Sequence, residues 1–292
     1  MSHLKPRIVS DGGLRDLGPP AFQAWNQSLL PVKVTNVTFL TPKCLPDGRS
    51  LLNIGCGWKT HHGWTNIDFS PYARLAANPR LARLLAQFGL LSTLRKERLA
   101  RTDPAIFYHD LRLGIPFADA SFDALYSSHF FEHIDRAELP ALLAECRRAM
   151  KPGALLRVVV PDWELLTRWY LAALQDWDNG KANANQHHFK AMQDMIDQMV
   201  RSDASGARKG SLFGRFENWY RGGASGTGEL HRWMYDRRSM VELLEKNGFY
   251  SCQIESARTS QIAGWTDFAP ALDLDDTGND YKPESLYVEA VR

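Results

Sequence analysis

The chain has 292 residues, 44% of them hydrophobic, which suffices for one large domain with a sizeable core and excludes global disorder. Thirty-five Lys and Arg against 33 Asp and Glu leave a formal charge of +2, so the basic excess that makes nucleic acid a default partner is missing. Four separated cysteines, Cys44, Cys56, Cys146 and Cys252, contain no CxxC pair, and neither a disulfide framework nor a cysteine zinc site is expected.

The N-terminal stretch lacks the apolar region of a signal peptide, and no segment approaches the roughly 20 apolar residues of a membrane span. The expectation is a reduced, cytoplasmic chain in which the Asn26 and Asn36 sequons are accidental. Apolar runs at 50–55, 64–69, 106–110, 122–127, 155–160, 251–257 and 285–291 read as strands, alternating with helical patterns. That alternation predicts an α/β protein with a mostly parallel sheet. Only Trp58 to Gly63 separate the first two strands, whereas a parallel crossover takes about a dozen residues; the first helix must be shortened or lost.

Residues 80–101 form a basic amphipathic pattern broken at Gly89, with Arg80, Arg83, Arg95, Lys96, Arg98 and Arg101 around leucines. Packing of the leucines on the sheet is the preferred reading, and contact with an anionic membrane surface is the alternative. A helix over 137–150 stops at Lys151-Pro152-Gly153, and one over 238–246 stops at Asn247-Gly248. Residues 162–233 break the alternation with two helical patterns, seven glycines between Gly206 and Gly228, and five of the nine tryptophans. They are read as a helical insertion or lid. Residues 1–49 are then an N-terminal segment packing on a core made of 50–161 and 234–292.

The chemistry concentrates at the carboxyl ends of the strands, where α/β sheets bind ligands. The first strand runs into Gly55-Cys56-Gly57, Asp68 ends the second and Asp110 the third. A dinucleotide fingerprint is disfavoured, because Thr60 stands at the third glycine position and the expected acid about 20 residues onward is missing. The ordered strings LNIGCG (52–57), GWTNIDFSP (63–71), DLRLGIPFADASFDALYSSHFFEH (110–133) and RRAMKPGALLRVVVPD (147–162) resemble the class I S-adenosylmethionine-dependent methyltransferases, in particular the type 11 group. The resemblance implies a Rossmann-like seven-stranded sheet with the last strand, 285–291, antiparallel and helices on both faces. It also implies S-adenosylmethionine as cofactor. Asn53, Gly55, Cys56, Gly57 and Trp58 would line its methionyl and ribose part, Asp68 would accept from the ribose hydroxyls, and Asp110 with the Leu111 amide would read the adenine edge. Ser127 and Ser128 would lie near the transferred methyl. Asn53 replaces the acid usual in the first glycine motif and Lys59 its third glycine, so Trp58 or Lys59 is a candidate for part of that contact.

Proton removal from an acceptor suits histidine. His129 at a strand end and His231 where the insertion returns are the two candidates, while His187 and His188 are expected to face solvent. His129-Phe130-Phe131-Glu132-His133 also fits the HxxEH zinc-hydrolase pattern, which needs both histidines on one helix face; with no third ligand evident downstream, no metal site is assigned. Asp273 to Gly278 with Glu284 imitates a calcium loop, yet a strand follows where a helix is required, and an acidic turn is preferred. The sequence therefore suggests O-methylation of a small-molecule or carbohydrate-like acceptor, with nucleic acid disfavoured. A non-catalytic cofactor-binding regulatory subunit is the alternative, and the zinc hydrolase comes third.

Overall fold

The computed structural model describes residues 39–199 and 231–292. Strands β1 (Leu51–Ile54), β2 (Thr65–Asp68), β3 (Phe107–Tyr108), β4 (Phe122–Ser128), β5 (Met150–Pro161), β6 (Tyr250–Glu255) and β7 (Ser285–Val291) form one sheet in the order β3-β2-β1-β4-β5-β7-β6. The pairs from β3 through β5 are parallel, whereas β7 runs antiparallel to both β5 and β6. The expected Rossmann-like sheet with an antiparallel last strand is what the chain forms. Strand order reverses between β1 and β4, and such a switch point opens a crevice at the carboxyl ends of the two strands.

Side chains alternate across the strands, so each face builds its own core. Leu52, Ile54, Leu125, Leu156 and Val158 bury one face beneath α4 (Leu139–Ala149) and α7 (Arg237–Lys246). Leu51, Ala124, Tyr126, Val159 and Tyr287 bury the other against Trp64 and α8 (Trp265–Leu272). Each fully buried aliphatic contributes roughly 1.5–3 kcal/mol. Helix α7 opens with a reciprocal cap, Asp236 accepting from the Ser239 amide and the Ser239 hydroxyl from the Asp236 amide side. Gly248 at φ +83° ends the following turn, as read from the sequence.

Four expectations change. The Lys151-Pro152-Gly153 stop lies inside β5, which begins at Met150 and carries a register shift against β4 between the Phe122 and Ala124 pairings; Gly153 at φ +78° accommodates the irregularity. The third strand shrinks to two residues. Helix α8 was not expected, since it is short and contains Pro270. The basic pattern splits as foreseen at Gly89, φ +67°, into α2 (Pro79–Gln87) and α3 (Thr93–Arg101), preceded by α1 (Pro71–Ala76). Its leucines divide: Leu81 and Leu84 on α2 and Leu94 on α3 are 41, 49 and 43% exposed, whereas Leu91 is buried and Leu99 packs beside Cys56, Ala73, Ala76 and Ile106.

The link from β1 to β2 is made of turns, in accord with its length. After β5, Asp162 caps α5 (Trp163–Asp178) by accepting from the Glu164 and Leu165 amides. Helix α6 (Ala184–Met199) packs beside α5. The chain rejoins the core where Tyr235 pairs with Asp162 and accepts from the Trp163 amide at 2.9 Å. The expected N-terminal segment lies outside the described residues as far as residue 38; at its end Leu40 pairs with Phe117. Of the insertion, residues 200–230, Trp219 among them, also lie outside. No described helix is long and apolar enough to cross a membrane.

Candidate active site

The crevice at the β1/β4 switch point collects the residues that the sequence singled out. Gly55 and Gly57, at φ +61° and +54°, turn the chain sharply after β1. The requirement for glycine differs between them. A Cβ on Gly55 would lie 2.2 Å from Phe130 Cγ, so the missing side chain makes room for a ring of the β4 loop rather than for a ligand. A Cβ on Gly57 would meet nothing within 4 Å, which leaves its backbone open to the crevice. Gly55→Ala is expected to combine that overlap with backbone strain, costing about 1–3 kcal/mol in a thermal melt. A second change, Phe130→Ala, should recover the steric part alone.

Asp68 ends β2 with its carboxylate already oriented by the backbone. Its Oδ2 accepts from the Gly57 amide at 2.8 Å and its Oδ1 from the Ser70 amide at 2.5 Å. Each oxygen keeps acceptor capacity for a second donor, so a pair of adjacent hydroxyls finds a preorganised partner. Asp110 is engaged differently. It accepts from the Arg112 amide at the turn Leu111–Leu113, and its carboxylate takes the Arg112 guanidinium, which holds the acid below its ordinary range. An adenine contact by Asp110 would compete with that exposed arginine, whereas Leu111 sits half-buried beside the core.

Two buried polar atoms lie along the same seam. Asn53, fully buried, donates to the Lys59 carbonyl and to Asn66 Oδ1, while its own Oδ1 has no hydrogen-bond partner. Ser127 Oγ, on the strand paired with β1, is also buried without one. Unsatisfied buried acceptors and hydroxyls carry a cost of about 1–3 kcal/mol each, and a polar ligand in the crevice would relieve it. Ser128 bonds the Tyr126 phenol instead. Cys56 packs with Ala73, Ala76 and Ile106, and burial pushes its thiol far above the usual range, which leaves it a packing residue. Trp58 stands edge-on to Tyr281 at 5.7 Å. Lys59 Nζ donates to the Leu274 carbonyl at 2.7 Å and lies 4.5 Å from the Tyr281 ring; burial lowers its pKa to about 8.

Residues 52–158 match the family model described as a methyltransferase domain. That stretch is similar to a methyltransferase domain, in agreement with the sequence resemblance to S-adenosylmethionine-dependent methyltransferases. A curated relative, an uncharacterized 37.1 kDa protein in transposon Tn4556 of Streptomyces fradiae, is 31% identical over 124 residues, 41% of this chain. The chain spans about a third of that relative's length, 32%. Among solved structures, a SAM-dependent methyltransferase from Archaeoglobus fulgidus aligns at 13% identity over 84% of this chain and 86% of that one, TM-score 0.36. A possible histamine N-methyltransferase from Thermotoga maritima aligns at 13% over 85% and 83%, TM-score 0.38.

Beyond β4 the chain turns through His129, a non-glycine residue at φ +49°, into a single 3-10 turn, Phe131–His133. The two histidines of the HxxEH string therefore share no helix face, and the hydrolase geometry is not formed. His129 is largely buried, its side chain 10% exposed, with both ring nitrogens engaged, Nδ1 3.2 Å from Glu132 Oε1 and Nε2 3.0 Å from Ser285 Oγ. A carboxylate can only accept, which puts the proton on Nδ1 and makes Nε2 the acceptor for Ser285. Burial lowers the His129 pKa to about 4. His231 is buried too, and its Nδ1 meets the Gln198 carbonyl. Since that carbonyl also only accepts, Nδ1 carries the proton and Nε2 is left unprotonated.

The sequence did not foresee what the returning arm of the insertion does. The amides of Arg232 and Trp233 both donate to the Glu132 carbonyl, at 2.6 and 3.2 Å. This brings His231 beside His133, ring centroids 4.8 Å apart, and sets both Nε2 atoms 3.9 Å from Glu132 Oε1. Of the remaining histidines, His187 is exposed, whereas His188 is half-buried between Tyr170 and Trp177, contrary to the expected solvent face. Asp273, the first residue of the calcium-like loop, points into the core onto Arg157, which removes it from any loop site.

Proposed function

We propose that the chain is a catalytic methyltransferase acting on a hydroxyl of a small-molecule or carbohydrate-like acceptor, enclosed by the 162–233 insertion. The observation that carries it is the backbone-oriented Asp68 carboxylate facing the switch-point crevice with Gly57 open beside it. Asp68 would hold the ribose diol, Asn53 Oδ1 would accept from the amino-acid end, and the half-buried Leu111 would border the adenine. The bound cofactor supplies an electrophilic methyl on sulfur.

The acceptor hydroxyl must lose a proton as it is methylated. His129, with both nitrogens spent and its basicity suppressed by burial, is poorly suited to that task. We assign the proton to the Glu132, His133 and His231 group, of which His133 is the most exposed member. The near-neutral charge supports a small acceptor over nucleic acid, and the free cysteines support a cytoplasmic setting.

Calorimetry with S-adenosylmethionine, beside NAD as control, is expected to give one saturable site of micromolar affinity. Incubation of the labelled cofactor with hydroxyl acceptors, sugars included, should then release S-adenosylhomocysteine. His231→Gln is expected to lower kcat by on the order of 100-fold with cofactor affinity nearly unchanged. Binding without turnover on any acceptor would favour the regulatory-subunit reading, and failure to bind the cofactor would refute the assignment.

A further inference from the structure

We propose that Glu132, His133 and His231 form a site for a divalent transition-metal ion of the zinc class, closing the base of the insertion onto the β4 loop. One oxygen of Glu132 and one nitrogen of each histidine lie within 4.8 Å of one another. The two edges to Glu132 Oε1 are both 3.9 Å. A tetrahedral ion with metal–ligand bonds near 2.0 Å sets its ligands about 3.3 Å apart, so the two edges to Glu132 close by about 0.6 Å and the longest edge by about 1.5 Å. Two imidazoles and a carboxylate are the donor set that zinc uses with its fourth position open.

Charge and burial point the same way. The Glu132 side chain is wholly inaccessible to solvent, and its Oε2 lacks a hydrogen-bond partner. A buried carboxylate needs neutralisation, and His129, which is tied to Ser285, offers it a neutral Nδ1–H. A dication supplies the missing charge. The surrounding bonds are those of a supported metal site: the His231 Nδ1–H donates to the Gln198 carbonyl and the His129 Nδ1–H to Glu132. Such outer bonds fix the tautomer that presents Nε2 to an ion and orient the carboxylate.

The ligands come from both sides of the insertion. Glu132 and His133 belong to the loop after β4, while His231 arrives on the returning arm with Arg232 and Trp233 paired to the Glu132 carbonyl. The ion would thus cross-link the arm to the core at the carboxyl edge of the sheet. The site shares Glu132, His133 and His231 with the proposed proton acceptor: an ion there would take their lone pairs, and the acceptor's proton would then pass to a hydroxide or water in the ion's open position. The metal titration reads ion binding apart from turnover.

The test uses the full-length protein stripped with a chelator and titrated with Co2+, then Zn2+. One equivalent of Co2+ is expected to give the intense visible absorption of a low-coordinate ion, to be displaced by Zn2+, and to raise the thermal midpoint. His133→Gln and His231→Gln should each weaken binding by on the order of 100-fold and abolish the midpoint shift, with S-adenosylmethionine titration reporting that the crevice is intact. If a variant does not fold, the wild-type spectrum decides alone. Failure to bind one equivalent, a weak six-coordinate spectrum, or unchanged binding in folded variants would overturn the proposal.

Discussion

Asp68→Ala is expected to weaken S-adenosylmethionine binding by on the order of 100-fold or more in calorimetry. Two consequences add up. In the proposed binding mode the ribose hydroxyls lose an ionised acceptor, and hydrogen bonds to charged groups are worth about 1.5–3 kcal/mol each, where 1.4 kcal/mol is tenfold in affinity. The Gly57 and Ser70 amides also lose the acceptor that orients the first loop. Asp68→Asn keeps one oxygen and should retain intermediate affinity. Asp110→Ala should cost less, because Asp110 is already engaged by Arg112. Wild-type affinity in Asp68→Ala would disprove the placement of the cofactor.

The second large effect lies far from the chemistry. Arg157 on β5 is completely buried, and all five of its N–H groups are satisfied: Nε and Nη2 donate to Asp273, Nη1 to Glu289 and the Thr259 carbonyl, and Nη2 also to the Ser256 carbonyl. Its guanidinium also lies 4.2 Å from the Trp265 ring centroid. Burial lifts the Asp273 carboxyl above its ordinary value, against the pull of Arg157 and of the Tyr126 phenol that bonds it. Arg157→Met would leave two carboxylates in the core without a countercharge. Breaking a buried pair in this way costs about 3–5 kcal/mol, and a chain of this size should melt roughly 10 °C lower. Adding Asp273→Asn and Glu289→Gln should return part of the loss, since replacing every charged member removes the unpaired charges. An unchanged melting temperature in Arg157→Met would show that the network contributes nothing to stability.

The strands were legible because buried parallel strands spell continuous runs of Val, Ile and Leu bounded by glycine or aspartate, and β7 matches its expected bounds. The glycine loop, Asp68 and the absent first helix followed from local spacing in the same way. What escaped depends on pairings between distant segments. Asp273 reads as one acid in a polar turn until Arg157, 116 residues earlier, is placed beneath it. His231 likewise reads as an isolated histidine, and only the pairing of Arg232 and Trp233 with Glu132 explains its position. Gly55 carries a third lesson, since the sequence demands a glycine but cannot tell a ligand from Phe130 as the reason.

The insertion enters and leaves through neighbouring residues, Asp162 and Tyr235, joined by the Trp163 amide to the Tyr235 carbonyl. A chain whose exit lies beside its entrance imposes little loop-closure entropy on the sheet, because such a cost grows only logarithmically with length. A change of length between those two points therefore need not disturb strand order.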